Sequence, residues 1–179
     1  MDEENKLHLT ELISVDILQQ IQDAFSELTH MAAQTADSKG AAITQASNSN
    51  EFCIMCRKTE IGRRRCEKCD IDGAKISQRY NNAYTYRCHA GLVEFASPII
   101  SNGEVRGSFI GGRVFVDEPD IASIRQTAVE VGLDPDKCEE MVKRIPVVGR
   151  DRVEQAARFL CSVAHSLLIM PPALLSDKR

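Results

Sequence analysis

The chain has 179 residues and a formal charge of −4, with 22 Lys and Arg against 26 Asp and Glu and 43% hydrophobic residues. That length can bury a real core and that composition is ordinary for a globular protein, which excludes whole-chain disorder. No stretch reaches the roughly 20 apolar residues of a membrane span, and an acidic chain without Trp is a poor general nucleic-acid binder. The acidic start, Met1-Asp2-Glu3-Glu4-Asn5, has no apolar h-region behind it, so a cytoplasmic location is expected.

In chain order, the first predicted element is a helix over 14–33. Leu18, Ile21, Phe25, Leu28 and Ala32 recur at helical spacing, with Gln19, Gln22, Asp23 and Glu27 on other faces. Ser14 is placed to cap it. Asp37-Ser38-Lys39-Gly40 reads as a turn, and the apolar run Ala41-Ala42-Ile43 as an edge strand. The tract Ser47-Asn48-Ser49-Asn50 is a loop leading into a cysteine-bearing helical insert over 52–80. A sheet over 84–116 follows. Tyr84 to Cys88 alternates as a strand does, Leu92 to Ile100 is a second strand, and Asn102-Gly103 is a hairpin signal before a third. Gly111-Gly112 separates that strand from another through Val114-Phe115-Val116. Helices then fill 121–170, the last running from Arg150 to Met170 and ending at Pro171-Pro172.

An antiparallel sheet with helices to one side is an α+β domain, and this layout resembles sensory modules of the PAS and GAF type. Neither an internal repeat nor a linker interrupts it, so residues 1–179 are expected to form one domain.

Seven cysteines without a secretory signal argue against a disulfide framework. Five of them stand between positions 53 and 88. Cys53-Ile54-Met55-Cys56 and Cys66-Glu67-Lys68-Cys69 are two C-x-x-C pairs with nine residues between them. Residues three apart share a helix face, so each pair aims two sulfurs one way. Converging thiolates suit zinc or an iron–sulfur cluster. Cys53, Cys66, Cys69 and Cys88 are the expected core of one metal site, with Cys56 as substitute or fifth thiol. Two other readings stand beside it: a redox dithiol, and buried cysteines without a ligand. Cys138 and Cys161 belong to the last class. The surrounding Arg57, Lys58, Arg63, Arg64, Arg65 and Lys68 favour thiolates, although Arg63-Arg64-Arg65 reads equally well as a solvated helix face.

The string Phe52-Cys53, Arg57, Gly62, Cys66, Cys69-Asp70, then Tyr86-Arg87-Cys88-His89-Ala90-Gly91-Leu92, Pro98-Ile99, Gly103, Gly107 and Gly111-Gly112-Arg113-Val114 resembles the PocR ligand-binding domain. That resemblance implies a PAS-like fold that senses small organic molecules such as short diols. Members occur in transcription regulators, chemoreceptors and other signalling proteins. Cys53, Cys66, Cys88 and His89 match positions typical of the family. Cys56 and Cys69 fall where an aliphatic residue and often a serine stand, and Arg113 where glutamine is common. These departures point away from a standard diol and toward a metal centre.

The expected function is therefore a non-enzymatic sensor. It binds a small organic ligand, a cysteine-held metal centre (iron–sulfur cluster or zinc), or both, and signals to an output domain. The alternative is an electron carrier using a cysteine-bound iron–sulfur cluster. Phe52, Tyr86, His89, Phe109 and Arg113 are the expected walls of a pocket between the glycine-rich sheet and the cysteine-bearing helices. No serine, histidine and carboxylate arrangement supports hydrolytic catalysis. On the final helix, Val163 and Ile169 widen the apolar stripe beyond what one sheet face needs, which predicts a homodimer contact.

Overall fold

The computed structural model describes residues 7–168. Its frame is one antiparallel sheet of four strands, β1 (Ala32–Asp37), β2 (Tyr84–Arg87), β3 (Val93–Ser101) and β4 (Glu104–Val114), in the order β1-β4-β3-β2. The helices are α1 (Leu9–Leu12), α2 (Val15–Thr29), α3 (Glu51–Lys58), α4 (Glu60–Tyr80), α5 (Ile121–Val131), α6 (Pro135–Val142) and α7 (Arg150–Leu167). The expected α+β fold, a PAS/GAF-like sheet with a cysteine-bearing helical insert, is what the chain adopts.

Side-chain alternation along β3 assigns the two faces of the sheet. Phe95 and Ile99 join Phe109 of β4 in a core closed by Leu18 and Phe25 of α2 and by Val153, Ala157 and Leu160 of α7. Ser97, on the same face, donates to the Ala157 carbonyl at 2.9 Å and ties α7 to the sheet. A second core lies under α3, α5 and α6, where Phe52, Cys53, Leu92, Phe115, Ile124, Cys138 and Val142 meet. Cys138 and Cys161 are buried, as apolar cysteines should be.

The N-terminal region departs from its periodicity. Ser14 caps α2 as expected, its side chain accepting from the Ile17 amide. The helix stops at Thr29, because His30 adopts a left-handed conformation (φ 58°). Residues 32–37 leave the helix to pair with β4, Ala33 opposite Gly111 and Asp37 opposite Gly107. The edge strand therefore precedes the 37–40 turn rather than following it, and Ala42 keeps only an isolated bridge to Ala36. Long-range pairing has overridden a helical pattern. Leu28, which the pattern placed inward, is 78% exposed, and Gln22, which it placed outward, is fully buried.

Gln22 is a hub. Its Oε1 accepts from Thr35 (3.1 Å) and Thr44 (2.6 Å), and its Nε2 donates to Ser47 Oγ at 2.8 Å. It thereby fixes the segment after the turn against α2 and β1.

The expected break at Gly111-Gly112 is instead a bulge inside one long strand. Val93 pairs with Val114 but Glu94 pairs with Gly112, so Arg113 is the extra residue. Gly112 (φ 97°) and Arg113 (φ 58°) are both left-handed. At the other end, Asn102 and Gly103 make the left-handed hairpin turn that their sequence predicts. The end of the last predicted helix, with Ile169, Met170 and Pro171-Pro172, lies outside the described residues. Among the described residues no helix is long and apolar enough to cross a membrane.

Candidate functional site

Helices α3 and α4 lie across the sheet face opposite α2 and α7. Asn50 caps α3 by accepting from the Cys53 amide at 2.8 Å, and its Nδ2 donates to the Arg113 carbonyl at 3.1 Å. One side chain thus docks the cysteine-bearing insert onto the bulge. Thr59 caps α4 directly after α3 ends, and Gly62 sits in that first turn. A Cβ at Gly62 would stand 2.2 Å from the Cys56 carbonyl oxygen and 2.8 Å from its sulfur, so only glycine lets the helices meet this closely.

That approach gathers thiols. Cys56 Sγ and Cys66 Sγ lie 3.8 and 3.4 Å from His89 Nε2. Among the described residues, Cys56, Cys66 and His89 form the group whose donor atoms all fall within 4.8 Å of one another. Sulfur and imidazole nitrogen sharing a tetrahedral zinc, with bonds near 2.3 and 2.1 Å, would stand roughly 3.6 Å apart. The triad fits that spacing. A hydrogen bond with Cys56, then His89 and the Arg57 charge, pull the Cys66 thiol down to about 5 against the opposing effect of burial. The same bond to Cys66, together with burial, holds the Cys56 proton on.

The other cysteines stand around this group. Burial pushes the Cys53 thiol up to about 12, and it also raises Cys88 and Cys69. Cys53 packs in the second core, and Cys69 lies beside the His89 backbone. Arg63, Arg64 and Arg65 pair with Glu67, Glu60 and Glu130, as a solvated helix face does.

Beside the triad, between α3, α4, β4 and the segment after β1, a cleft of about 750 Å³ opens. Ile54, Ile71 and Ile110 give it apolar walls, and Arg57, Asp70 and Arg113 give it a polar floor. Of the residues expected to wall a pocket, Arg113 lines this cleft. Phe52 and Phe109 are fully buried in the two cores. His89 belongs to the thiol group, and Tyr86 is packed against Gly73 of α4.

The sequence names Arg57 as a cation near the thiols and both Arg57 and Asp70 within the family string, but it does not single out Glu94 or join the three into one buried group. Arg57 donates to Asp70 Oδ2 at 2.7 Å. Glu94 lies on the α4 face of β3 opposite Tyr86, and burial with the Asp70 charge beside it pushes its carboxyl up to about 8. A lone carboxylate inside the apolar run Leu92–Ile100 was the available signal, because such residues are rarely buried without a role.

A family model described as the sensory domain found in PocR matches residues 11–170. The chain is 24% identical over 157 residues to "Regulatory protein PocR" of Salmonella typhimurium (strain LT2), an alignment covering 87% of this chain and 52% of that protein. The chain thus spans about half the length of this curated relative. No solved structure matches it.

Proposed function

The chain belongs to the PocR sensory domain family, and on that premise we propose that it detects a small organic molecule in the cleft between α3, α4 and the sheet. It passes the change to an output domain of a cytoplasmic regulatory protein, such as a transcription regulator, and performs no catalysis itself. The observation that supports this reading is the cleft: concave, largely apolar and floored by a few convergent charged groups, as ligand sites are. The helices that wall it also carry the thiol group, and α7 covers the other face of the sheet. A change in the cleft can therefore bias elements on both sides.

The test is ligand-observed NMR with a panel of alcohols, diols, amines and carboxylates of three to six carbons. It compares the wild-type chain with Ala42→Phe, which puts a ring at the cleft wall. A binder lost in the variant supports the reading, and no binder across the panel overturns it.

A second reading is favoured by the spacing of Cys56, Cys66 and His89. These residues would hold a thiophilic metal, with a fourth ligand drawn from Cys53, Cys69 or Cys88. Two sulfurs and one imidazole suit zinc better than an iron–sulfur cluster, which is usually held by four thiolates. Such an ion would clamp α3 to α4. The electron-carrier alternative has less support, since its cluster would need thiols that the triad does not include. We also propose a homodimer through α7, where Phe159 is 54% exposed beside Val163 and Leu167.

A further inference from the structure

The cleft wall is electrically uneven. Lys39, Arg57, Lys58 and Arg113 outnumber Glu67 and Asp70 around it. The most constrained of these cations is Arg113, whose side chain is 1% exposed and whose backbone is held left-handed at the bulge. A non-glycine residue in that conformation costs energy, and bulges serve to re-aim side chains.

Two carboxylates stand at the outer edge of ion-pair range from Arg113, and neither is hydrogen bonded to it. Its Nη1 donates to Ser49 Oγ at 3.3 Å. Asp70 Oδ2 is taken by Arg57 at 2.7 Å and stops 3.8 Å from Arg113 Nη2. Glu94 Oε1 stops 3.8 Å from Arg113 Nε. Arg113 Nε and Nη2, which form one flat donor edge of the guanidinium, are buried without an acceptor. Beside it, Asp70 Oδ1 is a buried acceptor without a donor among the described residues. Buried charges held at the edge of ion-pair range and orphaned polar atoms are costly, so their gathering at one cleft calls for an occupant.

We propose that the cleft is built for a 2-hydroxycarboxylate with a short apolar tail. The carboxylate engages the free edge of Arg113, the hydroxyl donates to Asp70 Oδ1, and the tail lies against Ile54, Ile71 and Ile110. A planar guanidinium edge matches two carboxylate oxygens, and a hydroxyl is the smallest group that gives Asp70 its donor. The surrounding lysines add long-range attraction for an anion. This inference rests on the sensing reading of the cleft and narrows its ligand class.

The experiment measures binding of 2-hydroxyhexanoate, hexanoate, 1,2-hexanediol and inorganic phosphate to the full chain by calorimetry. 2-Hydroxyhexanoate should bind most tightly, and Arg113→Gln should weaken it at least about tenfold, the loss of one charged hydrogen-bond pair. Arg113 is buried, so a second variant guards against misfolding. Lys39→Gln/Lys58→Gln, on exposed residues, should weaken the two carboxylates at low salt and leave 1,2-hexanediol unmoved. Equal binding of hexanoate, 1,2-hexanediol or phosphate overturns the ligand class, as does an unchanged affinity in both variants. If none of the four binds while another compound of the wider panel does, the class falls and the sensing reading stands. Silence from every compound overturns both.

Discussion

Glu94 and Arg113 face each other inside the protein, Oε1 and Nε 3.8 Å apart and not hydrogen bonded. Burial dominates the carboxyl, with Asp70 adding a like charge, and Arg113 offsets only part of this. The folded pKa of about 8 stands above the ordinary value of 4.5.

The first prediction follows from that difference. Between about 4.5 and about 8 the native state holds a proton that the unfolded chain has lost. Stability from this group is therefore greatest below about 4.5 and falls as pH rises toward about 8. Glu94→Gln should flatten that slope and add on the order of 4 kcal/mol at pH 8 relative to wild type. Denaturant unfolding of both proteins from pH 5 to 9 checks it; parallel curves would show that Glu94 ionises freely.

The second prediction concerns Gln22, which accepts from Thr35 and Thr44 and donates to Ser47. Gln22→Leu keeps the volume roughly but removes the acceptor shared by the buried Thr35 and Thr44 hydroxyls, while Ser47 keeps Asp23, so a loss of about 2–3 kcal/mol is expected. The segment after β1 carries Ala41, Ala42 and Ala46 of the cleft wall. Ligand affinity should fall with stability, and urea unfolding beside a binding titration reads both. A destabilisation under about 0.5 kcal/mol would deny the hub its role.

These residues mark the limit of what the sequence reveals. Local chemistry was legible: the Ser14 cap, the Asn102-Gly103 hairpin and the apolar stripe of α7 all follow from short-range rules. The thiol–imidazole group was less so. C-x-x-C spacing singles out four thiols, yet the triad takes one cysteine from each pair and completes it with His89. The helix–helix approach at Gly62 selects which sulfurs meet, and that approach is tertiary. The buried charged group beside the cleft was least legible, because Arg57, Asp70 and Glu94 meet only through partners on other elements.

The third prediction tests the metal reading. Anaerobically purified protein should take up one zinc per chain, and Cys56→Ser or Cys66→Ser should abolish tight uptake, whereas Cys161→Ser should not. Gly62→Ala should weaken uptake without removing a ligand. Its Cβ would overlap Cys56, and overpacking of this kind costs roughly 1–3 kcal/mol. Metal analysis and unfolding curves with and without zinc provide the measurement. Equal uptake by Cys66→Ser would remove the triad from consideration.

The last prediction concerns α7. Val153, Ala156, Ala157, Leu160, Cys161 and Ala164 are buried against the sheet, so that stripe belongs to the chain's own core. A charge at Leu160 would therefore unfold the protein and say nothing about association. Phe159 lies on a different face, 54% exposed, with Val163 and Leu167 beside it. Phe159→Glu leaves the core untouched, and surface changes of this kind typically move stability by no more than about 0.5 kcal/mol. If α7 joins two chains, sedimentation at rising concentration should show a dimer for wild type and a monomer for Phe159→Glu, at unchanged melting temperature. A wild-type monomer throughout would leave Phe159 as an ordinary exposed aromatic, and the signal would then have to leave the domain by another element.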